Sequence, residues 1–367
     1  MMLIVALGVA LIMVTLWDAL ETMILTHNVD RKLSITNVYY RYVDKVFLCV
    51  GTWTEKKPEL RDRILTPYAP LSLLALVGLW ASLLITGFAL VCFGLGIVFT
   101  TLADPSFGDY WYATAVTFFT LGYGDLITTS NAGRIVMVIT AGTGFGFLAV
   151  VISYLPVLYA NFSRREATIL LLDARAGSPP CAAELLRRHG ACGSEPLREL
   201  LFDFEKWSAS LLEATISYPI LTYYRSQHER LGWVAAITVV LDTCALIEAF
   251  VVPDSPETKR LVRQAELTFA MTRHLIVDMA YLLGMQPRPV ATMRLQDGDV
   301  QQLRALLVNS GFEVKDGSDQ LAELRGQYET YLGGLQRNLF VEIPPFISPD
   351  HARDAWETSA WDNRQHF

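Results

Sequence analysis

The sequence predicts an all-α membrane protein with three transmembrane helices and a re-entrant helix per subunit, followed by an all-helical cytoplasmic domain. Three observations lead there. The chain of 367 residues is 52% hydrophobic and only 18% charged, where a soluble protein carries about 25% charge. Three long runs, roughly 2–25, 70–99 and 135–159, are almost free of charge, and each exceeds the about 17 residues that a membrane helix needs. From Asn161 the chain turns charged and amphipathic, with helix punctuation and no recurring alternating strand pattern.

The organisation follows in order: a first transmembrane helix over 1–26, a basic cytoplasmic loop over 27–68, a membrane module over 69–160, and a helical domain over 161–367. Met2 to Leu25 lacks a basic start and a small-x-small site, so it is expected to be a retained span rather than a cleaved leader. Its only acids, Asp18 and Glu21, share one helical face at i, i+3. They are expected to rest at the water interface or to reach the neighbouring membrane module. His27 to Thr66 carries eight Lys and Arg residues, among them Arg41, Lys45, Lys56 and Arg63. Short basic loops stay in the cytoplasm, which puts the N-terminus outside a plasma membrane that the chain crosses several times. Within this loop "YYRYVDKVFLCVGTW" predicts either a helix lying on the membrane surface or a plain linker.

Pro70 to Phe99 holds no charge and is long enough to tilt. Ile135 to Tyr159 is the third span, closed by Arg164 and Arg165. No span has a base at every third position, so none is an Arg-rich voltage sensor. "LGWVAAITVVLDTCALIEAFVV", 231–252, is apolar enough to span. Asp242 near its centre would cost about 2.5–3.5 kcal/mol in lipid, and a buried core helix is the expectation.

Between the last two spans of the membrane module lies "TAVTFFTLGYGDLITT", 114–129. Irregular backbone at membrane depth is tolerated only where protein buries it or water reaches it. Asp109 to Phe119 then reads as a short helix dipping in, and Thr120 to Gly124 as an extended return. Gly122 and Gly124 reach backbone angles that aim successive carbonyls at one axis. Such carbonyls replace the water around a potassium ion. The Thr120 hydroxyl adds an oxygen at the inner end, and Tyr123 is expected to pack on Trp111 and Tyr112. The negative C-terminal end of the short helix favours a cation nearby.

Thr120, Leu121, Gly122, Tyr123, Gly124 and Asp125 match Thr-x-Gly-Tyr-Gly-Asp, and over about Pro70 to Tyr159 the chain resembles the tetrameric potassium channels. The resemblance implies K⁺ at the carbonyls of Thr120, Leu121, Gly122 and Tyr123, with Gly124 completing the filter. It implies a homotetramer in membrane lipid, since one chain brings one quarter of the ring. Asp125 resembles the outer-mouth aspartate, supported from Tyr112 or Trp111. Some members place a glutamate four residues before the threonine, where this chain has Val116. Asp104, Asp109 and Asp125, repeated fourfold, make an acidic mouth that concentrates cations.

In "ITAGTGFGFLAVVISYL", Gly142, Gly144 and Gly146 are candidates for a gating hinge or for close helix packing. The tail shows no strand followed by GxGxxG, no phosphate loop and no zinc motif. It reads as an assembly or gating domain, open to a small-molecule regulator at the cluster Tyr223, Tyr224, Arg225, His228 and Arg230, which otherwise is an exposed helix start. With 27 acids against 21 Lys and Arg beyond Asn161, it excludes nucleic acid as the expected partner. Five cysteines without a CxxC pair read as free thiols. No enzyme and no covalent cofactor is expected. Two alternatives stay open: a membrane-anchored sensor or enzyme whose tail is the active part, and a weakly selective cation channel.

Overall fold

The computed structural model describes residues 1–23, 34–102, 104–190, 192–226, 232–291 and 293–347. The chain divides into two compact units, Met1–Ala160 and Asn161–Phe367. Among the described residues all regular structure is helical, with two isolated bridges. Four helices are long and apolar enough to cross a membrane.

In the first unit α1 (Met2–Met23) packs antiparallel along α4 (Tyr68–Gly94). Small residues set the approach. A Cβ on Gly8 would stand 2.7 Å from the Gly87 carbonyl, and one on Gly94 would stand 2.7 Å from Val5. Helices in lipid gain little from burying apolar surface, so close backbone contact of this kind holds them together. Asp18 completes the joint. It is buried, and it accepts hydrogen bonds from Trp80 Nε1 of α4 (2.9 Å), Thr36 N (3.1 Å) and Thr36 Oγ1 (2.7 Å). Of the two expectations for Asp18, the water interface is therefore overturned and the polar contact stands. Three donors compensate the burial of one carboxylate.

The loop after α1 is more structured than its charge suggests. α2 (Ile35–Trp53) is capped by Ser34, whose Oγ accepts from Asn37 N, and α3 (Pro58–Leu65) starts on a proline at its first position. Two boundaries differ from the sequence expectation. α4 ends at Gly94, short of Phe99, because Gly96 turns the chain at φ 61. The remaining apolar residues leave the helix and pair instead, with Phe99 bridging Thr128. The inner helix, α6 (Asn131–Ala176), is one helix of 46 residues that runs on past the expected span of 135–159. Arg164 and Arg165 mark the end of the apolar run, but both have good helix propensity.

The second unit, 161–367, is built around α9 (Trp233–Phe250), the helix with span-like composition. It is almost wholly buried among other helices of its own unit, chiefly α10 (Pro256–Leu282) and α12 (Ser318–Gly326), while α8 (Ser194–Ser217) packs along α10. Apolar residues all round a helix mean burial, and here protein supplies the cover. Asp242 is fully buried, ion-paired to Arg294 and bonded by the Tyr328 hydroxyl at 2.6 Å. The caps expected at Ser255-Pro256 and Gly284 both hold: Ser255 Oγ accepts from Thr258 N, and Gly284 has φ 62. α7 (Ala182–Gly190), α11 (Asp297–Asn309), α12 (Ser318–Gly326) and α13 (Glu329–Leu339) close the bundle.

α7 also finishes the end of α6. Arg188 Nη1 donates to the Ala174 carbonyl at 2.7 Å, one of the last four acceptors of α6. Glu184 holds Arg188 there at 2.5 Å and grips Arg187 as well. The Arg187 hydrogen bond, then Arg188, draw the Glu184 carboxyl down to about 2, against some desolvation. A carboxyl held below its unfolded value of about 4.5 stabilises above that pH. The contribution fades as pH falls toward 2. Glu184→Gln is therefore expected to cost about 1–2 kcal/mol at pH 7, after discounting for solvent screening. Unfolding curves of the two proteins, compared at pH 7 and near pH 2, check this; a gap that persists undiminished at the lower pH contradicts it.

Candidate functional site

α5 (Phe107–Phe118) is the short helix before the glycine motif. Its N-terminus is fixed by a capping box, with Ser106 N and Oγ both donating to Asp109 Oδ2 at 2.7 Å. Its flank is tied to α4: Thr114 Oγ1 donates to the Ile85 carbonyl at 3.3 Å and Trp111 Nε1 to Thr86 Oγ1 at 3.2 Å. Tyr110 donates to the Ile97 carbonyl at 2.7 Å. At the other end Thr120 N and Leu121 N fold back onto the Thr117 and Val116 carbonyls, at 3.0 and 2.9 Å. The chain thus leaves α5 by a tight reversal.

The backbone that follows alternates. Thr120, Gly122 and Gly124 have φ of 56, 62 and 75, while Leu121 and Tyr123 between them stay out of the left-handed region. Alternation of left- and right-handed residues turns successive peptide planes to a common side, the geometry in which a short chain makes a polar concavity. Glycine takes such angles freely. Thr120 is not a glycine, and its conformation stores about 1–2 kcal/mol. The glycine signal did not show that strain, since nothing marks a threonine as left-handed in sequence.

Tyr112 donates from its hydroxyl to Asp125 Oδ2 at 2.9 Å, and Thr101 Oγ1 donates to the Asp125 carbonyl at 2.8 Å. Of the two donors weighed for Asp125, Tyr112 reaches it and Trp111 does not. Tyr123 is largely open within one chain. It is 68% exposed there, near Tyr112 but not covered by it. Trp111 is instead directed to α4 by its bond to Thr86. Val116 is buried, an apolar residue where some channels place a glutamate. Of the mouth acids, Asp109 is spent on its cap and Asp125 on Tyr112.

The three glycines of α6 separate. A Cβ on Gly144 would lie 1.9 Å from the Phe118 carbonyl oxygen, at the end of α5. Gly144 is a packing glycine, and it seats α6 against the end of α5. Cβ atoms on Gly142 and Gly146 would meet nothing within 4 Å. Sequence reasoning passed over Pro156, which sits inside α6 and leaves the Ile152 carbonyl without its helical donor. A proline ten residues past Gly146 in an apolar run was signal enough to find it. In the tail, Tyr224 stacks near Phe162 (5.5 Å) and Arg225 donates to the Leu339 carbonyl at 2.9 Å. These two are packed rather than poised on a surface; His228 and Arg230 lie outside the described residues.

Two membrane-length helices bracket a capped short helix and a carbonyl-presenting return, which is the build of an ion-conducting domain. The family model described as "Ion channel" matches residues 80–159, from Trp80 in α4 through α5 and the glycine motif to Tyr159 in α6. No curated protein and no solved structure matches the chain.

Proposed function

We propose that the protein is a potassium-selective channel, a homotetramer conducting K⁺ passively through a cell membrane and governed by its helical tail. The observation that carries this reading is the alternation at Thr120, Gly122 and Gly124. It offers the carbonyls of Thr120, Leu121, Gly122 and Tyr123 as a ladder of oxygens for a dehydrated K⁺. The Tyr112–Asp125 bond braces the outer end of that ladder. Fourfold assembly is supported by what one chain leaves open. The filter is exposed, and Val138, Phe145, Ile152 and Tyr159 form an apolar stripe at seven-residue spacing on α6, each between 65% and 72% exposed. Seven-residue spacing is the period with which helices pack around a common axis. Tyr123 finds its cover against an adjacent copy.

The tail acts through the stretch Tyr159 to Arg165, where one continuous helix joins pore and tail. Arg165 is buried, and it donates to the Leu221 and Tyr224 carbonyls at 2.8 and 2.7 Å. That grip couples α6 to the fold of the tail. A regulator, where one binds, works by shifting that coupling.

Flux from liposomes tests the reading. K⁺ efflux is expected to exceed Na⁺ efflux by orders of magnitude in the intact protein and to vanish in Gly122→Ala, whose methyl group is strained at φ 62. Equal K⁺ and Na⁺ flux would leave a weakly selective cation channel. No flux, even after deletion beyond Arg165 from a protein that still assembles, would return the function to the tail.

A further inference from the structure

The first unit contains a cavity of 920 Å³ that the ion pathway does not use. It lies between α2 and the beginning of α4. Val38, Tyr42 and Val46 line one wall, and Leu71, Ala75 and Leu79 line the other. Its size falls in the range of about 300–1,000 Å³ typical of small-molecule sites. Every residue lining it lies between 34 and 79, before the segment matched by the channel family.

The chemistry of the lining narrows the occupant. The hydroxyls of its interior, all but that of Tyr42, are already engaged. Tyr39 donates to the Ser72 carbonyl at 2.7 Å, Ser72 to the Ala69 carbonyl at 2.8 Å, and Tyr68 to the Val43 carbonyl. Ser34 Oγ accepts from Asn37 N as the cap of α2. What these leave facing the cavity is aliphatic and aromatic surface, which suits hydrocarbon. The mouth differs. Tyr42 stands there 64% exposed, Lys45 lies 5.6 Å over its ring, and exposed Arg41 is one helical turn away. Asp44, half-buried on the same helix and acting on the Tyr68 hydroxyl, offsets one of the two charges; apolar interior and a rim of net positive charge together select an amphiphile with a negative head.

The level in the bilayer points the same way. α4 has 27 residues, about 40 Å at 1.5 Å per residue, against a hydrocarbon core of about 30 Å. Its first turns therefore stand at headgroup depth, beside Lys45. We propose that this cavity holds an acyl chain of an anionic phospholipid from the surrounding membrane, with Lys45 and Arg41 at its phosphate. The lipid wedges α2 against α4, next to the Asp18 joint.

Native mass spectrometry of the full chain, released from bilayers of equal phosphatidylglycerol and phosphatidylcholine, tests this without any need for conduction. The intact protein is expected to retain phosphatidylglycerol over phosphatidylcholine by about fivefold or more, the effect of one cation near an anionic head. Ala75→Phe fills the cavity from an exposed position on α4 and is expected to lose the retained lipid while still folding. Lys45→Gln combined with Arg41→Gln is expected to keep lipid but lose the preference. Three results overturn the proposal: no retained lipid in the intact protein, retention unchanged in Ala75→Phe, or a disulfide between copies carrying Ala75→Cys, which would mean that a second chain fills the groove.

Discussion

Asp242→Ala is expected to unfold the tail more readily than any surface change in it, by about 3–5 kcal/mol. Asp242 and Arg294 are both excluded from water, at 0% and 2% side-chain exposure. The cost arises less from the lost attraction than from the charge left behind. Arg294 also donates from Nε to the Pro344 carbonyl at 2.9 Å and faces Glu329 at 3.4 Å, and its guanidinium lies 4.9 Å over Phe346. Those contacts hold it in place after Asp242 is gone, so it has no route to solvent. Tyr328 loses the acceptor of its hydroxyl, Asp242 Oδ1. Asp242→Asn keeps the volume and one acceptor, and is expected to cost less. Asp242→Ala with Arg294→Met removes both charges, and is expected to recover much of the loss, since a buried pair contributes little beyond an apolar replacement. Denaturant unfolding of the full chain in detergent, followed by near-ultraviolet dichroism, gives the ordering. A double variant no more stable than Asp242→Ala would contradict the account.

The same residue shows how far the sequence could be read. Asp242 was sufficient to argue that an apolar helix belongs inside protein rather than lipid, because the penalty for an acid in hydrocarbon depends only on that residue and its place in the run. Its partner could not be read, because Arg294 lies 52 residues away and nothing local selects it. Asp18 failed for the same reason in the other direction. At the end of an apolar span it looks like an interfacial acid, and only Trp80, 62 residues on, and Thr36 make it a buried one. The glycine motif was legible because its chemistry is in the backbone: positions needing left-handed angles without strain must be glycine. Helix ends were legible where a side chain caps them, as at Ser255. Where no cap stands, as at Arg164 and Arg165, the end of the apolar run at 135–159 marks a membrane span and leaves the helix end of α6 at Ala176 unread.

The three glycines of α6 give the sharpest separation of packing from motion. Gly144→Ala is expected to abolish selective conduction. Its methyl carbon would lie 1.9 Å from the Phe118 carbonyl oxygen and 2.7 Å from that carbonyl carbon. Neither is the end of a flexible side chain, so α5 or α6 must move. Phe118 stands two residues before Thr120, whose φ of 56 is held by the reversal onto Thr117 and Val116. A shift there reaches the innermost carbonyl of the ladder directly. Gly142→Ala and Gly146→Ala meet no neighbour within 4 Å among the described residues, and each stabilises the helix by about 1 kcal/mol. If either position bends when the pore opens, the added methyl disfavours the bent state. Flux then falls by about fivefold, the equivalent of that energy, while the K⁺ to Na⁺ ratio stays unchanged. Flux and selectivity measured together on the three variants therefore distinguish the roles. Loss of selectivity belongs to Gly144, and loss of rate alone belongs to a hinge. Gly144→Ala with normal selectivity would mean that α6 does not seat the filter through Phe118.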